Sequence, residues 1–72
     1  MSEGFWGITA RDIVMMEYED VATSIREASG YPDEKLIPLI TKRRMESEGD
    51  LERLACSRIL CAILDKPDIM YW

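Results

Sequence analysis

From residue 54 to residue 64 the sequence reads Leu-Ala-Cys-Ser-Arg-Ile-Leu-Cys-Ala-Ile-Leu, with Ser57 and Arg58 as its only polar side chains. A helix over 51–64, capped at its start by Asp50, is therefore apolar almost all the way round. Such a helix must be enclosed, either by the rest of its own domain or by a second chain. The constraint is severe in 72 residues, because a domain of this size buries only about 60% of its unfolded surface and has room for one core.

The preceding segments are also helical in pattern. Thr9-Ala-Arg-Asp12 matches the capping box, in which hydroxyl and carboxylate satisfy otherwise orphaned backbone N–H groups. Val14, Tyr18, Val21, Ile25 and Ala28 recur every three or four residues, widened by Ile13 and Ala22. This spacing predicts a helix over 10–29, about 30 Å long, ended by Gly30 and Tyr31-Pro32. An alternative break falls near Glu19-Asp20, where Asp20 would cap a second helix. Pro32-Asp33-Glu34 resembles a first helical turn. Pro38, however, withdraws an N–H from a helix begun there, so a short helix starting near Pro38, or a kinked element, is expected. Leu36, Ile37, Leu39 and Ile40 would supply its apolar contacts, and residues 46–50 separate it from the apolar helix.

No segment alternates apolar and polar residues for long, and no Asn-Gly or Asp-Gly hairpin signal occurs. The expected fold is all-α, a small three-helix or three-plus-one-helix bundle over 9–72, preceded by a flexible aromatic arm over 1–8. Phe5 and Trp6 on that arm either fold back or stay available to a partner. Folding back is favoured, since burying each ring is worth roughly 2 to 3 kcal/mol. Residues 69–72 form a second apolar, aromatic end.

The chain has no histidine, which excludes Ser-His and Cys-His nucleophile pairs and an imidazole zinc ligand. Cys56 and Cys61 lie about 140° apart on a helix and so read as two buried thiols rather than a disulfide or a metal pair. No Gly-rich phosphate loop, Walker pattern or ligand cluster appears. Paired carboxylates such as Asp33-Glu34 are too common on helical surfaces to mark a catalytic site. The expectation is a protein without catalytic residues, metal or cofactor. No apolar run approaches the roughly 20 residues of a membrane span, and residues 1–8 lack the basic start and apolar stretch of a signal peptide, so a cytoplasmic protein is expected.

Charge is distributed unevenly. The net −5 falls wholly within residues 1–35, which hold eight acidic and three basic residues, while residues 36–72 hold six of each. Glu17, Asp20 and Glu27 share one helical face, with Asp12 and Glu19 beside it. Such a stripe can imitate phosphates or steer association with a basic protein surface. The lone basic cluster, Lys42-Arg43-Arg44, is followed at once by Glu46, Glu48, Asp50 and Glu52. Together with a pI near 4.6 this argues against direct nucleic-acid binding.

The candidate partner-binding residues are therefore Phe5, Trp6, Glu17, Asp20, Glu27, Lys42, Arg43 and Arg44. In size, acidity and lack of a catalytic set the chain resembles the host-takeover inhibitors made by bacteriophages. That resemblance is one of class and rests on no family motif. It implies a protein-binding regulator acting on a nucleic-acid-handling host enzyme such as RNA polymerase. The alternatives are a helix-turn-helix transcription regulator using Lys42 to Arg44, a nucleic-acid mimic, and a self-associating module whose apolar helix forms a homodimer core.

Overall fold

Thr9 caps the first helix as its sequence signal requires, its hydroxyl accepting from the Asp12 N–H at 3.1 Å. In a computed structural model, which describes residues 4–64, the helix it opens ends after six residues. The elements are α1 (Ala10–Met15), α2 (Tyr18–Ser29), α3 (Asp33–Glu46) and α4 (Asp50–Leu64). The protein is an all-α bundle of the three-plus-one kind, the fourth helix arising from division of the expected first one.

That division corrects the prediction of a continuous helix over 10–29, and it lies neither at Glu19-Asp20 nor at a glycine or proline. Met16 and Glu17 are both extended, with ψ of 154° and 140°. Two contacts from α4 hold the turn. The Arg58 guanidinium donates to the carbonyls of Ile13 (3.2 Å) and Met16 (2.7 Å), which the end of α1 leaves without helical partners. The Tyr18 hydroxyl donates to the Cys61 carbonyl at 2.8 Å. An unbroken helix of about 30 Å would also overreach a bundle whose longest dimension is 26 Å.

α3 runs unbroken through Pro38, so the expected start near Pro38 is also corrected: Pro32 is the N-cap and Asp33 the first helical residue. Pro38 sits on the exposed outer face, where water can reach the Glu34 carbonyl that its missing N–H would have engaged. Leu36 and Ile40 are buried, one turn apart on the inner face. Leu39, expected among the apolar contacts, is 41% exposed.

α4 is the axis of the fold, and each of α1, α2 and α3 packs principally against it. Seven of its residues are buried, Ala55, Cys56, Ser57, Ile59, Leu60, Cys61 and Ile63. Most of its apolar surface is thus covered within one chain, by Ile13, Val21, Ile25, Leu36 and Ile40 from the surrounding helices, while Leu51, Leu54 and Leu64 stay exposed. Asp50, expected as its cap, is instead its first helical residue. Both cysteines are buried free thiols, and burial pushes the Cys56 thiol up to about 11. Among the described residues no helix is long and apolar enough to cross a membrane.

Phe5 and Ile8 pair across a tight turn, with backbone hydrogen bonds in both directions, at 2.6 and 3.1 Å. Trp6 (φ 56°) and Gly7 (φ 96°) both take positive φ, as a type I′ turn requires. This one-bridge hairpin forms without the Asn-Gly or Asp-Gly pair that usually signals it. Gly4 is obligatory beside it, because a Cβ there would collide with the Ile8 carbonyl oxygen. Residues 4–8 thus pack on the bundle instead of forming a free arm, and the aromatic end at 69–72 lies outside the described residues.

Candidate interaction surfaces

The hairpin places its two aromatic rings differently, Phe5 at the paired position and Trp6 in the turn itself. Phe5 is fully buried in the core. Trp6 is 37% exposed and meets Tyr31, itself 40% exposed, edge to face at a centroid distance of 6.1 Å.

The basic triplet separates in the same manner. The Arg43 guanidinium lies 4.1 Å over the Phe5 ring and pairs with Glu52 at 3.0 Å. Arg44 donates to the buried Ser57 hydroxyl at 2.8 Å. Both arginines thus join α3 to the hairpin and to α4, and of the triplet only Lys42 stands fully at the surface. Arg43 and Arg44 were candidates for partner contact; their geometry is that of internal ties.

The acidic candidates are placed differently. Glu17, at the N-cap of α2, and Asp20 and Glu27 on that helix are all exposed, with Glu19 on a neighbouring face. No salt bridge among the described residues engages any of the four. Asp33 is the exception among nearby carboxylates. Arg26 grips it with two hydrogen bonds of 2.6 and 2.8 Å across the Gly30 turn, which holds its carboxyl below the usual carboxylate range. The sequence polarity of charge therefore persists as surface polarity on α2.

A second surface was missed at the level of sequence. Tyr31, Lys35, Pro38, Leu39 and Lys42 line a hollow of about 460 Å³ along the outer face of α3. Leu39 and Lys42 also line a larger neighbouring hollow of about 690 Å³, bounded by Trp6 on one side and by Glu46, Glu48 and Glu52 on another. The Trp6–Tyr31 pair contributes one ring to each hollow. Lys35, Leu39 and Lys42 fall at i, i+4 and i+7, one helical stripe, which is the signal that could have revealed them. Tyr31-Pro32 had been read only as a helix stop.

Among the described residues no three acidic or cysteine side chains come together as a metal site. Compared with protein-family models, with curated proteins and with solved structures, the chain matches none.

Proposed function

We propose that this chain is a small acidic protein-binding regulator that docks the outer face of α2 on a basic surface of another protein and changes that protein's activity. One observation carries the reading: Glu17, Glu19, Asp20 and Glu27 are all exposed and no described salt bridge neutralises them, whereas Arg43 and Arg44 are engaged inside the fold. Three such carboxylates on one short helix and a fourth at its N-cap raise the local concentration of cationic surfaces and orient the encounter. Nucleic-acid-handling enzymes such as RNA polymerase offer surfaces of that charge, and they are the target class to test first, in keeping with the resemblance to phage host-takeover inhibitors.

The test is affinity capture from a bacterial lysate with the full chain and with a variant carrying Glu17→Gln, Asp20→Asn and Glu27→Gln together. A stoichiometric nucleic-acid-handling protein should be retained by the native chain, and lost on the triple variant and at high salt. Recovery of no stoichiometric protein, or of one held equally by the variant, overturns the reading. The helix-turn-helix alternative gains no support from the fold, because only one residue of its basic triplet stands fully at the surface.

A further inference from the structure

We infer that the groove between the Trp6–Tyr31 pair and the outer stripe of α3 is a docking site for a short acidic peptide segment with an apolar anchor. Its floor is Leu39 and Pro38, its aromatic wall is Tyr31 and Trp6, and its cations are Lys35 and Lys42. Neither lysine enters a salt bridge among the described residues.

Backbone geometry singles out Trp6 within this surface. An indole-bearing residue at φ 56° occupies a region that bulky L-residues avoid, and outliers of this kind gather where a side chain must be presented. The ring so held is 37% exposed, with Tyr31 and Leu39 similarly uncovered. Leu39 lines both hollows, joined by Tyr31 in one and by Trp6 in the other, so three partly uncovered large apolar groups border one continuous surface, the composition of a recognition patch.

Charge selects the occupant. Lys35 and Lys42 flank the apolar floor with no carboxylate lining that hollow, so a segment placing one or two acidic residues beside an aromatic or leucine side chain meets complementary charge. A polyphosphate chain does not fit as well. It would have to continue past Glu46, Glu48 and Glu52, which line the adjoining hollow and repel uniform negative charge. A peptide can change its charge along its length, and a polyanion cannot. The inference is independent of the α2 surface, since it uses none of the residues that test the proposed function.

The experiment is selection of a random dodecapeptide library on the full chain, followed by fluorescence anisotropy with the selected peptides. The expected consensus has Asp or Glu beside one aromatic or leucine residue. Affinity should fall roughly tenfold or more for Lys35→Glu combined with Lys42→Glu, and for Leu39→Glu, both exposed substitutions whose folding is checked by circular dichroism. The α2 triple variant should bind as the native chain does. Selection of no peptide, a consensus without acidic residues, or affinity unchanged by both groove variants overturns the inference. So does a dodecameric oligothymidylate that binds the groove more tightly than the peptides, or a dimer in sedimentation that Leu39→Glu converts to monomer.

Discussion

The guanidinium of Arg58, in the middle of the central helix, donates to the carbonyl oxygen of Met16 at 2.7 Å, across 42 residues of sequence. With its second bond, to Ile13, it satisfies the carbonyls left open where α1 stops, and so makes the two-residue interruption before α2 tolerable.

It follows that Arg58 determines where the first helical segment ends. Arg58→Met keeps the apolar stem but leaves two part-buried carbonyls without donors, at a cost of about 2 to 3 kcal/mol. Arg58→Lys should recover less than half of this, because an ammonium cannot reproduce the planar fork. Urea unfolding followed by circular dichroism measures both. Equal stability of Lys and Arg at this position would show that charge alone, and not the two-carbonyl geometry, holds the turn.

The same residue shows what could be read from sequence and what could not. An all-α bundle around an apolar last helix was legible, because the run over 54–64 admits few other arrangements. So were the Thr9 cap and the Gly30 stop, each a local signal with a local cause. The break at Met16-Glu17 was not, since no residue there disfavours helix; the cause lies in α4. Ser57 and Arg58 were visible as the two polar interruptions of that helix. Their partners, Arg44 and the end of α1, become known only once the helices are packed. The exposure of Asp20 and Glu27 on α2 was legible because such residues face solvent and need no partner, whereas Glu17, expected on the same helical face, is extended and lies just before the helix. The α3 groove was not, because its wall comes from a hairpin whose Trp-Gly turn departs from the usual turn chemistry.

Lys42, Arg43 and Arg44 should differ in their effect on stability. Arg44→Ala removes the donor to Ser57, which is 5% exposed, and should cost about 1 to 2 kcal/mol. Arg43→Ala removes both the guanidinium over Phe5 and the pair with Glu52, and should cost a similar amount. Lys42→Ala should stay within about 0.5 kcal/mol. Thermal or urea unfolding of the three variants decides this. Three indistinguishable, near-neutral variants would mean that the triplet is a solvated basic face after all.

Cys56 should give the fold a sensitivity to alkaline pH. Desolvation raises its thiol from 9.0 to about 11, an effect that Arg43 partly offsets and Glu52 reinforces. The folded state holds this proton more tightly than the unfolded one. The associated stability is therefore fully present below pH 9 and is lost as pH rises through 11, on the order of 2 kcal/mol in all. Cys56→Ala removes the titration. The stability difference between native chain and variant should thus be constant from neutral pH to about 9 and then shift against the native chain. A difference that stays flat to pH 11 would show that water reaches the thiol.

Trp6 offers the sharpest separation of stability from binding. Its positive φ costs on the order of 1 to 3 kcal/mol, against which the edge-to-face contact with Tyr31 returns about 0.5 to 1.5 kcal/mol. Trp6→Asn places Asn-Gly, the pair that type I′ turns favour, at the same two positions and relieves the backbone. The variant should therefore unfold at the same urea concentration as the native chain or a higher one, although a large aromatic side chain has been deleted. Its affinity for acidic, apolar-anchored peptides should nevertheless fall roughly tenfold or more. A loss of 2 kcal/mol or more in stability would instead make Trp6 a packing residue, and the strained turn would then be explained by the core and not by presentation of the ring.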